Sequence, residues 1–122
     1  DPYSAGAAKV ETIFATAMTD RLKPMVKGIQ DLTGAGIGTV MSELRNGRAV
    51  VTWGNYNWNL ANQKAFHVMT IVGYRNGQFL ISDPYVTSPR EYWLNMGQWE
   101  SVNAGTNAVG WATPSRMNLT IV

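Results

Sequence analysis

The chain has 122 residues, 45% of them hydrophobic and 15% charged, which suits one small globular domain with a modest core. Its net charge is only +2, and its lysines and arginines are scattered singly, so the basic run that nucleic acid or an anionic membrane surface requires is absent. With no cysteine and one histidine it holds neither disulfides nor thiolate metal sites, and no apolar stretch approaches the about 20 residues of a membrane span.

Asp1-Pro2-Tyr3-Ser4 is a turn-like lead in which Ser4 suits a helix cap. From Ala5 to Leu22 the residues Val10, Ile13, Phe14, Ala17, Met18 and Leu22 recur at helical spacing, and Pro24 ends the pattern. Met25 to Leu32 reads as a strand weakened by Gly28. Thr33-Gly34-Ala35-Gly36 is a loop and not a phosphate cradle, because no Lys-Ser or Lys-Thr pair follows its glycines. A second helix carries Ile37, Val40, Met41 and Leu44 on one face and stops at Asn46-Gly47. Ala49 to Trp53 is a strand, expected to be central, and Gly54 to Lys64 is a polar loop with Asn55, Asn57, Asn59 and Asn62 around Tyr56 and Trp58.

The stretch from Phe66 to Tyr85 predicts a β-hairpin, two β-branched and aromatic runs meeting at Arg75-Asn76-Gly77. His67 stands at its entrance and Asp83, followed by Pro84, at its exit. Register decides whether they meet. A two-residue loop Asn76-Gly77 pairs Thr70 with Asp83 and sends His67 and Asp83 to opposite faces. A three-residue loop Arg75-Asn76-Gly77, with Gly77 left-handed in a G1 bulge, pairs Met69 with Asp83 and puts His67 diagonal to it on one face. The three-residue loop is the expectation. Beyond Tyr85 come a turn-rich stretch to Arg90, a short strand Glu91–Leu94, a short helix near Met96–Ser101, and two strands, Ala108–Trp111 and Met117–Val122. No internal repeat or domain boundary appears, so residues 1–122 read as one domain, α+β with N-terminal helices packed on a largely antiparallel sheet.

A histidine opening an apolar strand, then Val72-Gly73-Tyr74, a turn, a second strand and Asp83-Pro84 resembles the histidine–aspartate half of papain-like cysteine peptidases. It is most similar to the bacterial branch that includes the bacteriocin leader peptidases, and the likeness covers most of Asp1 to Pro84. The resemblance implies a papain-like fold and hydrolysis of peptide or amide bonds, with His67 as base and Asp83 as the residue that orients it. It implies no cofactor. The cysteine that the family uses as nucleophile is missing from this chain. Either it lies on an upstream segment or fragment, or Ala5 replaces it, since Ser4-Ala5-Gly6-Ala7-Ala8 is what a Cys-Gly-small-small start becomes after a Cys-to-Ala change. Ser4 is a poorer nucleophile than a thiol and is better read as a cap.

Around this pair, Trp53, Tyr56 and Trp58 are candidates to wall a substrate cleft or shield the histidine from water, and Asn55 or Asn57 to donate to a peptide backbone. Tyr85 and Trp93 are candidates to pack behind Asp83. The expected partners are a peptide or protein substrate and, for a secreted or delivered bacterial toxin domain, an immunity or inhibitor protein. A catalytically inactive binding module of the same fold is the alternative from another class. A ribonuclease toxin is weaker, because a second histidine and a basic patch are absent and Asp83 would repel phosphate.

Overall fold

A computed structural model of the chain describes residues 15–55, 58, 67–84, 89–105 and 116–122. Their order is α1 (Ala15–Leu22), β1 (Ile29–Asp31), α2 (Ile37–Arg45), β2 (Val50–Gly54), β3 (His67–Arg75), β4 (Gln78–Asp83), β5 (Arg90–Asn95), α3 (Met96–Ala104) and β6 (Asn118–Ile121). The strands form one sheet in the order β1-β6-β2-β3-β4-β5, each neighbouring pair antiparallel. β2 is internal, as its apolar run implied. The first helix is described from Ala15 onward, and the expected strand Ala108–Trp111 lies outside the described residues.

The expected strand from Met25 is shortened to three residues. Pro24 and the turn that follows it occupy its first half, and Gly28 takes φ +79°, which breaks the extended run. α2 forms where expected and ends at Asn46, with Gly47 at φ +77°. α3 grows directly out of β5, because the Asn95 side chain accepts from the backbone N–H of Gly97 (2.8 Å) and Gln98 (3.1 Å) and so caps the first turn.

Two apolar layers follow from strand alternation. One face buries Val50, Met69, Ile71, Phe79, Ile81 and Leu94 against Val40 of α2 and Trp99 and Val102 of α3. The Phe79 and Trp99 rings meet edge to face, centroids 5.2 Å apart. The other face buries Trp53, Ile29 and Leu119 with Ala15 of α1 and with Met117.

The β3–β4 hairpin corrects the expected loop. Arg75 pairs with Gln78, so the loop is the two-residue Asn76-Gly77, with Gly77 at φ +73°. The extra residue sits within the strand instead. Ile71 pairs with Ile81 but Gly73 with Leu80, so Val72 is bulged out, 43% exposed. The offset is the same single residue, and beyond the bulge Thr70 pairs with Ser82. His67 and Asp83 therefore share a face, as required, by a different device.

Candidate active site

Asp83 occupies a core position. Along β4 the inward residues are Phe79, Ile81 and Asp83, all buried, alternating with Gln78, Leu80 and Ser82. Pro84 disfavours helical backbone at Asp83 and keeps the last residue of β4 extended, which aims its carboxylate at the sheet face. His67 begins β3 opposite Gly54 of β2. Its Nε2 lies 2.5 Å from Asp83 Oδ1, with the His67 side chain 14% exposed and that of Asp83 fully buried.

A carboxylate only accepts, so Nε2 is the donor and a neutral imidazole in this tautomer carries its lone pair on Nδ1. The second carboxylate oxygen, Oδ2, lies 3.5 Å from Arg90 Nη2. Arg90 is directly across the sheet from Asp83 in the β4–β5 register. Its guanidinium carbon is 4.9 Å from the centre of the Tyr92 ring.

Trp58 closes the same face. Residues paired across strands present the same side, so His67 and the missing Cβ of Gly54 share one, and the Trp58 ring fills the Gly54 position. A Cβ on Gly54 would come within 2.6 Å of Trp58 Cη2 and Cζ3. The Trp58 Nε1 donates to Tyr92 Oη (2.7 Å), and its carbonyl accepts from Gln98 Nε2 of α3 (2.8 Å). Trp58 is 2% exposed and sits at φ +52°, a left-handed backbone costing about 1–3 kcal/mol that these contacts must hold. Tyr92 Oη in turn donates to Met69 Sδ (3.7 Å). Burial pushes the Tyr92 hydroxyl above its ordinary value of 10.0; the Asp83 carboxylate adds to the rise, while the Trp58 bond and the Arg90 charge oppose it.

Of the residues singled out in the sequence, the structure brings together His67, Asp83 and Trp58. Trp58 is a buried wall beside the histidine and offers no exposed cleft surface. Trp53 is fully buried in the opposite layer with α1, because it alternates with Gly54 along β2, so it does not line the His67 face. Asn55 is 3% exposed at the end of β2. Ala5, Tyr56 and Tyr85 lie outside the described residues. Trp93 does not back Asp83: it pairs with Leu80 on the other face, with the Arg75 guanidinium stacked 4.0 Å above its ring.

Sequence reasoning missed Gly54, Arg90, Tyr92 and Gln98. A glycine ending an apolar strand was a visible hint of close approach, whereas Arg90 and Tyr92 needed the β4–β5 register. Among the described residues no group of three or more His, Asp or Glu side chains is placed to hold a metal ion. None of their helices is long and apolar enough to cross a membrane.

An antiparallel sheet with helices on both faces and an imidazole–carboxylate pair at adjacent strand ends is the architecture of the papain-like peptidases. The profile of the Peptidase_C39 like family matches residues 2–107, and the chain belongs to that family. A Bacillus anthracis protein described as a C39-like peptidase has a similar fold, with a TM-score of 0.72 at 15% identity. The match takes in 93% of this chain and 61% of that one, so the chain spans less than two thirds of that structure. No match was found among curated proteins.

Proposed function

We propose that the chain is a single papain-like domain carrying the base and the orienting carboxylate of a Cys-His-Asp hydrolase acting on peptide or amide bonds. The observation that carries this reading is the 2.5 Å contact between His67 Nε2 and the buried Asp83 Oδ1. It leaves the Nδ1 lone pair of the neutral imidazole as the acceptor for a thiol proton. The resulting thiolate would attack a carbonyl carbon, and the same proton would pass from Nδ1 to the leaving amine.

The thiol belongs, on this reading, at position 5. This placement rests on Ser4-Ala5-Gly6-Ala7-Ala8, which lies within the family match and is what a Cys-Gly-small-small start becomes after a Cys-to-Ala change. With alanine there the chain carries no thiol.

The test is the Ala5→Cys variant labelled with a small thiol-directed electrophile, with and without His67→Ala. Labelling that depends on His67 supports an activated thiolate–imidazole pair. Labelling of equal rate in both variants, with both folded, overturns the assignment of position 5. The absence of cysteine also favours a second reading, in which the domain binds a peptide without cleaving it. In that case peptide binding survives His67→Ala, and Ala5→Cys gains no turnover.

A further inference from the structure

We infer that Arg90 is a positioning residue that holds the Asp83 carboxylate in the one orientation that presents Oδ1 to His67. The inference rests on the reading of His67 and Asp83 as base and orienter.

A carboxylate on its last side-chain bond has a broad, nearly two-fold torsion, so one partner on one oxygen leaves it free to rock. Asp83 meets a cationic partner at the other oxygen as well. Arg90 Nη2 stands 3.5 Å from Oδ2, an electrostatic contact rather than a short hydrogen bond. Three features fix the guanidinium there. Arg90 and Asp83 are direct cross-strand partners, so the sheet ladder sets their separation. The Tyr92 ring, two residues along on the same face, lies 4.9 Å from the guanidinium carbon. Tyr92 is itself pinned by the Trp58 indole at 2.7 Å. Among the described residues, the groups that face Asp83 include His67 from β3 and Arg90 and Tyr92 from β5.

The Arg90 side chain is 51% exposed, and exposed ion pairs contribute little to stability. Its consequence lies in geometry: a carboxylate held at both oxygens keeps Oδ1 on Nε2 and thereby keeps the histidine in one tautomer. Arginine suits this better than lysine, because its planar fork stacks on an aromatic face while donating in plane.

The chain has a single histidine, so its ring resonances are assigned without ambiguity. The experiment is NMR of the ¹⁵N-labelled protein as it stands, reading the Nε2–H proton and the two ring nitrogen shifts. In the parent the expected result is one tautomer with a slowly exchanging Nε2–H. In Arg90→Gln that resonance is lost to solvent exchange and the nitrogen shifts report mixed tautomers, while the denaturation midpoint barely moves. Arg90→Lys recovers the signal in part. Glu91→Gln, whose side chain lies on the opposite face beside Ser82, leaves it intact. An undiminished Nε2–H signal in folded Arg90→Gln, or equal loss in Glu91→Gln, overturns the inference. Arg90→Thr, which suits a strand, replaces the glutamine variant if that one does not fold. No thiol enters this readout, so its failure is separable from failure of the labelling experiment at position 5.

Discussion

At the scale of single residues, the site depends on two side chains whose neighbours leave little room for substitution. In the Ala5→Cys background, His67→Ala is expected to slow thiol labelling by about 10²–10⁴-fold, the usual span for a lost general base; competition kinetics with a small alkylating agent would measure it. Gly54→Ala is the second test. The new methyl would stand 2.6 Å from Trp58 ring carbons, and Trp58 is held by the bond from its indole Nε1 to Tyr92 and by the bond that its backbone carbonyl accepts from Gln98. We expect a loss of about 1–3 kcal/mol in urea denaturation, as for other overpacked cores; a loss near zero would mean the wall is not rigid. Tyr92→Phe removes the acceptor of the Trp58 indole and should cost about 1 kcal/mol at neutral pH. Because burial raises the Tyr92 hydroxyl, the folded chain keeps its proton where the unfolded chain has lost it. The parent's stability is therefore full below pH 10.0, the ordinary value, and is lost as pH rises through the higher folded value. Phenylalanine has no such proton, so the stability gap between parent and Tyr92→Phe should close above pH 10; a gap that widens there would reverse the sign of the argument. His67 and Asp83 were legible in the sequence because each is a polar residue interrupting an apolar run at a strand end. Arg90 and Tyr92 were not, since the turn-rich stretch between β4 and β5 hid which residues would face each other.

At the scale of elements, the hairpin shows what a sequence can state and what it leaves open. Asn76-Gly77 marked the turn, and the need for His67 and Asp83 to share a face marked a one-residue offset. Whether the extra residue falls in the loop or in the strand is decided by packing, and here Val72 bulges outward beside buried Ile71. This has a testable consequence. Deleting Val72 leaves Ile71, Gly73, Tyr74 and Arg75 opposite Ile81, Leu80, Phe79 and Gln78 in an unbroken ladder, with every facing relation at Asp83 kept. The variant should fold, with a stability loss of about 1 kcal/mol, and retain the Nε2–H resonance of His67. Deleting Thr70, beyond the bulge, moves His67 to the opposite face from Asp83 and should abolish that resonance. Equal outcomes for the two deletions would show that register does not control the pair.

At the scale of the whole molecule, buried amides tie α3 of one apolar layer to the backbone of the other. The periodic apolar residues of α2 and the β-branched runs made the layers legible, but nothing in the sequence distinguished Asn103 from the other asparagines of the chain. Its side chain is fully buried and donates to the Trp53 carbonyl (2.9 Å) and the Met117 carbonyl (3.2 Å), while its own carbonyl accepts from Asn118 Nδ2 (3.0 Å). One turn earlier on α3, Trp99 Nε1 donates to Thr52 Oγ1 (2.9 Å). These bonds seat α3 on β2 and β6, and α3 also carries Gln98, which holds the backbone carbonyl of Trp58, the residue whose ring fills the Gly54 position opposite His67. The seat of one helix thus sets the wall of the site. Asn103→Ala leaves several buried polar groups with a partner removed, and an expected loss of about 2–4 kcal/mol follows. Urea denaturation would read that loss, and the indole Nε1–H resonance of Trp58 in the ¹⁵N spectrum of the still-folded variant would report whether Trp58 moves. A loss below about 1 kcal/mol with an unchanged Trp58 indole resonance would mean that apolar packing alone seats α3, and the coupling from Asn103 to the site would have to be abandoned.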